Sequence, residues 1–325
     1  MSENPVLEST KFLIENPKYV NINFDVLKKV AKKFSQENFT IAEQKFPIYP
    51  QKNNREAIDF LLLAASINFA FTDFKSKMKF KKNYKGTSWR GYFGMMACLK
   101  KAFDTGKPLA EGEYLRKISK NEMRELFSGN IEIPMLNERW NIFREVGKVL
   151  YNKYNGHFYN LAEVSGNRLF NNGEGMVERL VSDFPSFDDS WEHGRKKAIF
   201  NKRAQLVCAT LYLNFNGQKP FRFEDINKLT VFADYVLPKG LRDLGIISYN
   251  DSLAKRIDKQ KLIEAGSREE LEIRAATVHA ADLLIKEINK YRNNDKINAL
   301  HLDFKLWSES RVTKGYHHLT KTIAY

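Results

Sequence analysis

Apolar side chains recur along most of this chain at intervals of three and four residues, the period of a helix that buries one face. Val26, Leu27, Val30 and Phe34 mark such a face early on, and Leu136, Trp140, Phe143 and Leu150 mark another. Ser267 followed three positions later by Glu270 is a capping-box signature, and it opens a run with Leu271, Ala275, Val278, Ile285 and Ile288 at helical spacing. Pro238 predicts the start of a short helix that Gly245 closes. Phe60 to Phe71 is mostly apolar but too short to span a bilayer, so it reads as a buried helix. The exception lies between Phe74 and Tyr92, where Lys75, Lys77, Lys79 and Lys81 alternate with Ser76, Met78 and Phe80 ahead of Gly86. This alternation predicts a β-hairpin whose lysine row faces either solvent or a phosphate.

The expected fold class is therefore mainly α, a multi-helix globular fold with one small hairpin near residues 74–92. No repeat, low-complexity tract or long Pro/Gly/Ser linker divides the chain, so residues 1–325 read as one domain or as two closely packed helical lobes within it. An apolar content of 43% supports a sizeable core and argues against disorder. The opening MSENPVLEST is polar and contains Pro5 and Glu8, unlike a secretory leader. Only two cysteines occur, Cys98 and Cys208, each in an apolar helical pattern. Both readings favour a reducing, cytoplasmic setting without a membrane anchor.

Lysine and arginine total 53 against 39 acidic residues, giving a net charge of +14. That excess suits an anionic partner, or it is a solubilising surface; it names no ligand. No phosphate-binding glycine loop or nucleophile elbow is present, and the Asn/Gly-rich stretch from Gly166 to Gly175 lacks the required Gly-Lys-Ser/Thr. The six histidines, including His317 and His318, have no metal-ligand spacing, so no metal and no cofactor is expected.

Three segments place polar groups where the period expects apolar contact. In Thr230 to Tyr235, Asp234 stands between Phe232 and Tyr235; it reads as a helix cap or as a carboxylate in an aromatic pocket. Lys202 and Arg203 open an otherwise apolar helix through Leu206, Val207 and Leu211, and solvation is their simplest reading. In the third, Ile297, Leu300, Phe304 and Trp307 share a helical face, with Asp303 one turn before Trp307. Asp303 then needs a partner, either an arginine such as Arg274 or a ligand. Trp307 reads as core filler as readily as a ligand contact.

The sequence resembles the queuosine salvage proteins, queuosine 5'-phosphate N-glycosidases. The resemblance runs through NFAF (Asn68 to Phe71), GYFGM (Gly91 to Met95), FPS (Phe184 to Ser186), NKRAQL (Asn201 to Leu206), FADYVLP (Phe232 to Pro238), LEIR (Leu271 to Arg274) and LDFKLW (Leu302 to Trp307). It departs at Thr72, where an aromatic residue is common, and at Leu319, where a basic residue is expected.

The resemblance implies a helical fold related to DNA glycosylases and hydrolysis of queuosine 5'-monophosphate to queuine. It implies that Asp234 and Lys202 are catalytic. The substrate-binding candidates are then Phe232, Tyr235 and Trp307 for stacking, Asp303 for the base, and His318 and Lys321 for the phosphate. The expected partner is a mononucleotide, with no stable nucleic-acid partner. Two rival readings stay open: a basic helical module that binds nucleic acid without chemistry, and a glycosidase for another modified nucleotide.

Overall fold

The computed structural model describes residues 4–41 and 46–325. Among them are fourteen α-helices and six short strands, a mainly helical fold. In chain order they begin with α1 (Pro5–Glu15), β1 (Val20–Ile22), α2 (Phe24–Phe34), α3 (Arg55–Ser66), β2 (Lys81–Tyr84), β3 (Thr87–Arg90) and α4 (Tyr92–Asp104). Next are α5 (Gly112–Leu115), α6 (Lys120–Leu126), α7 (Leu136–Lys153), α8 (Phe158–Val164), α9 (Met176–Asp183), β4 (Ser190–His193) and β5 (Lys196–Ile199). The chain ends with α10 (Lys202–Asn214), α11 (Val236–Asp243), β6 (Ile247–Tyr249), α12 (Asp251–Asp258), α13 (Arg268–Lys290) and α14 (Ala299–Ser310). The strands form three antiparallel pairs, β1 with β6, β2 with β3 and β4 with β5. No helix among the described residues is long and apolar enough to cross a membrane. Of the polar opening stretch, Met1 to Glu3 lie outside the described residues, and Pro5 already starts α1.

Two compact units are present: Met1–Ala42, Asp189–Lys202 and Asn227–Lys321 make one, and Glu43–Asp188, Arg203–Ile226 and Thr322–Tyr325 make the other. The first is organised by α13, against which α1, α2, α11 and α14 pack. Neighbours on several sides explain why its buried residues are not confined to one stripe: Ala276, Ala280 and Ala281 are buried beside the expected Leu271, Ala275, Val278 and Ile288, while Ile285 is only half-buried. Ser267 caps this helix by accepting from the Glu270 amide, whereas the Glu270 carboxylate reaches past the cap to the Gly266 amide. The buried Glu272 takes the amides of Lys18 at 3.0 Å, Tyr19 at 2.7 Å and Val20 at 3.2 Å, and so fixes where β1 meets β6. In α14 the buried face runs through Ala299, Leu302, Leu306 and Ser310; Phe304 and Trp307 are half-buried beside it.

The second unit corrects two expectations. The apolar run from Phe60 is helical only to Ser66; Ile67 to Phe71 continue as a buried irregular segment. Buried carbonyls that no helix partner takes need donors, and two arginines supply them. Arg139, fully buried on α7, donates to the carbonyls of Ile67, Phe69 and Ala70 and to Pro134 at 3.0 Å, with its guanidinium 4.3 Å from the Phe69 ring. Arg203 donates to the carbonyls of Ser66 and Ser186.

The hairpin exists, with Lys85 and Gly86 both at positive φ in its two-residue turn, but it begins only at Lys81. Of the lysine row only Lys81 lies in a strand, and Lys79 forms an isolated bridge to Thr72. Asp73 Oδ1 accepts from the amides of Lys75 at 3.1 Å and Ser76 at 2.7 Å, and this Asx turn overrides the period-two pattern.

Replacing Arg139 by Met keeps the volume but strands a group of buried carbonyls, each costly to leave unpaired. We expect R139M to lose about 3 kcal/mol or more of unfolding free energy, measured by urea titration with the denaturant slope unchanged. A loss under about 1 kcal/mol would mean these carbonyls do not depend on the guanidinium.

Candidate active site

Leu229 to Asp234 are buried, yet no helix or strand holds them. Their backbone groups must therefore be satisfied from elsewhere. Three helices of the same unit do this at consecutive residues. From α14, Asp303 Oδ2 accepts from the Phe232 amide at 2.7 Å. From α13, Arg274 Nε donates to the Ala233 carbonyl at 3.2 Å. At the start of α11, Asp234 Oδ1 accepts from the amides of Val236 at 2.7 Å and Leu237 at 3.1 Å. Asp234 thus starts the helix two residues earlier than Pro238 suggested. The cap and the pocket readings are compatible, because the two amides occupy a single carboxylate oxygen.

Lys202 and Arg203 are buried, not solvated, at 5% and 2% exposure. The Lys202 amide donates to Asp189 Oδ2 at 3.1 Å, just after Asn201, which adopts a left-handed φ of 49°. Asp189 also anchors the Phe200 amide on its own carbonyl at 2.9 Å and the Trp191 indole on Oδ1 at 3.2 Å.

The partner expected for Asp303 proves different. Arg274 instead forms a two-pronged pair with Asp189, at 2.8 Å to Oδ1 and 2.5 Å to Oδ2, and lies 3.6 Å from Glu270. A planar guanidinium matches a carboxylate edge to edge. The Asp303 carboxyl, by contrast, is pushed up to about 8. Loss of water around it is the main cause and the Asp234 carboxylate adds to it, while the Phe232 amide and the Lys202 ammonium oppose it. Asp303 is then neutral near pH 7. Asp234, Lys202 and Asp303 consequently share one electrostatic neighbourhood.

Phe232 is buried, and half-buried Tyr235 lies against the His317 ring with centroids 4.4 Å apart. His317 Nδ1 donates to the His318 carbonyl at 2.7 Å. His318 is 2% exposed, and burial first, then His317 and Arg274, push its imidazole down to about 3. It is therefore held as a neutral imidazole. Trp307 packs against the core, with the Arg311 guanidinium 4.8 Å from its ring centroid. Lys321 is exposed, and no described hydrogen bond or ion pair ties it to this cluster.

The structure thus brings Phe232, Asp234, Asp303 and Lys202 together, with Tyr235 and His318 alongside. Sequence reasoning missed Asp189 and Glu270, and named Arg274 only for the wrong partner. The available signal was Glu270 and Arg274 one turn apart inside an apolar helix. Among the described residues no group of three or more His, Cys, Asp or Glu side chains is arranged to hold a metal ion.

Residues 48–325 match the family model described as queuosine salvage protein. A protein of Sphaerobacter thermophilus named queuosine 5'-phosphate N-glycosylase/hydrolase is 31% identical over 98% of this chain and 97% of its own length. Proteins of the same name from Mus musculus and Schizosaccharomyces pombe are 30% and 29% identical, over 98% and 96% of this chain and 98% and 93% of theirs. With a family match over most of its length and relatives aligned nearly end to end, this chain belongs to the queuosine salvage protein family.

Proposed function

We propose that this chain is a nucleotide N-glycosidase that hydrolyses queuosine 5'-monophosphate, releasing queuine and ribose 5-phosphate for salvage into tRNA modification. The observation that carries this reading is the Asp234 carboxylate, held on Oδ1 by two helix amides and placed beside Lys202 and a neutral Asp303. Relatives of that name aligned over nearly the whole chain support it. We also take the fold to be related to that of DNA glycosylases. Both compact units fall within the aligned length, which supports a single N-glycosidase domain. Two buried free thiols, Cys98 and Cys208, suit a cytoplasmic setting.

Cleaving an N-glycosidic bond builds positive charge on the sugar. A carboxylate fixed before the reaction stabilises that charge without reorganising. We assign this task to Asp234 Oδ2, the oxygen the two amides leave aside. Queuine is a 7-deazaguanine and offers no N7 lone pair to protonate, so the departing base needs hydrogen-bond donors elsewhere on its ring. A neutral Asp303 is such a donor, with the Phe232 amide on its other oxygen. Phe232 and Tyr235 are assigned to the flat faces of the base, worth roughly 1–3 kcal/mol per stacked base. Trp307, His318 and Lys321 complete the proposed binding set, His318 as a neutral donor and Lys321 as a phosphate contact.

Purified protein should release queuine from queuosine 5'-monophosphate and leave guanosine monophosphate intact. Asp234→Asn retains an acceptor for the helix amides, so the melting temperature should hold while turnover falls at least about 10²-fold. A wild type that binds the nucleotide without releasing base would make the chain a binding protein instead. Lys202 is buried beside the carboxylates, which supports a positioning role; Lys202→Ala should then cost nucleotide and nucleoside similar factors. A loss confined to the nucleotide would assign it to the phosphate.

Asp303 adds a pH test. Its raised value means that the folded protein keeps a proton which the unfolded chain releases between about 4 and about 8. The associated stability is complete below the ordinary carboxylate value and is lost as the pH rises through about 8. Urea titrations from pH 4 to 9 should show wild type losing stability relative to Asp303→Asn across that window, and turnover should decline above about pH 8 in wild type only. Parallel curves for the two proteins would refute a protonated Asp303.

A further inference from the structure

We propose that Arg274 is a positioning residue for the glycosidase reaction, setting the placement of Lys202 against Asp234 from beneath both. The inference rests on the assignment of those two residues to the reaction.

The guanidinium is fully buried on α13 and every prong has a destination. Two go to the Asp189 carboxylate, whose Oδ2 also receives the Lys202 amide at 3.1 Å. Nε goes to the Ala233 carbonyl, the residue immediately before Asp234. One rigid, planar group therefore connects the first residue of α10 with the loop that presents the proposed catalytic carboxylate. The far side of the guanidinium is backed by the Phe200 ring, 4.0 Å away, and Glu270 lies one helical turn back at 3.6 Å.

A purely structural arginine would need only a partner of opposite charge, and Glu270, 3.6 Å away on the same helix, already offers one. What sets Arg274 apart is where its bonds lead: to the backbone of residue 202 through one carboxylate, and to the peptide bond adjoining residue 234 directly. Reaction rates are sensitive to such placement, with about 1 Å of displacement costing around 10²-fold.

The test is Arg274→Lys, which keeps the charge but lacks a planar fork able to hold Asp189 and the Ala233 carbonyl together. Steady-state and single-turnover release of queuine would be measured well below the melting temperature, in the wild-type and the Lys202→Ala backgrounds. We expect kcat to fall about 30- to 100-fold with KM within about threefold in the wild-type background. In the Lys202→Ala background the same change should cost less than about fivefold, because part of what Arg274 positions is already gone.

Turnover of R274K within about threefold of wild type would overturn the proposal, as would equal losses in both backgrounds. Asp189→Glu keeps the ion pair while displacing the Lys202 amide, and it carries the same expectation if R274K does not fold. Failure of both variants to fold would make the pair a folding device and end the positioning reading. Inactive wild type, by contrast, would strike the glycosidase assignment itself, and this inference would fall with it; active wild type with R274K unchanged would strike this inference alone.

Discussion

A guanidinium sealed from water is stable only where its charge and its donors are matched, and the pair of Arg274 with Asp189 meets that requirement at the centre of one unit. Removing Arg274 leaves the buried Asp189 without its guanidinium, and removing Asp189 leaves Arg274 only the longer contact to Glu270, so the elements that carry the pair are bound to one another. Those elements are α13, the β4–β5 hairpin that follows Asp189, and the start of α10, whose first amide shares the carboxylate. The loop ahead of α11 joins them through the Ala233 carbonyl. The site is therefore not a decoration on a finished core; its placement and the satisfaction of a buried ion pair are the same event.

The stretch from Phe232 to Asp234 carries this logic to the level of single atoms. A buried loop without regular structure is costly unless each backbone group finds a partner. Here an amide, a carbonyl and a side-chain carboxylate at three successive residues are answered by α14, α13 and α11. Because both Asp303 and Asp234 take backbone amides on one oxygen, each carboxyl is oriented before any substrate arrives. Their proximity also sets them apart: loss of water and the neighbouring negative charge raise the Asp303 carboxyl toward its protonated form.

The helical period revealed α2 and α7 correctly, and the Ser267–Glu270 spacing located the start of α13. It failed where a side chain outcompeted the period. Asp73 closed an Asx turn where alternation suggested a strand, and Arg139 with Arg203 allowed Ile67 to Phe71 to be buried without helix. Asparagine caps were legible in principle and went unread: Asn4, Asn23, Asn54, Asn250 and Asn298 each precede a helix and accept from its first amides. In the site, Asp234, Lys202 and Asp303 stood out because polar groups interrupt apolar runs. Asp189 did not, since nothing local in a Phe-Asp-Asp stretch foretells a partner 85 residues away.

Arg139, Arg203 and Arg274 are the largest fully buried side chains of the described residues, and they share one use. Each donates to backbone carbonyls that no helix or strand partner takes: Ile67, Phe69 and Ala70 for Arg139, Ser66 at the end of α3 and Ser186 for Arg203, and Ala233 for Arg274. The guanidinium offers five donors in a fixed plane and so can hold several carbonyls in a set geometry, whereas the lysine ammonium carries three donors on a single nitrogen. Part of the chain's basic content is therefore internal scaffolding. The buried acids Asp59, Asp189, Asp234, Glu270 and Glu272 match the buried Arg139, Lys202, Arg203, Lys239 and Arg274 in number, so the excess of positive charge lies with the residues outside the core, and the buried guanidiniums serve carbonyls instead.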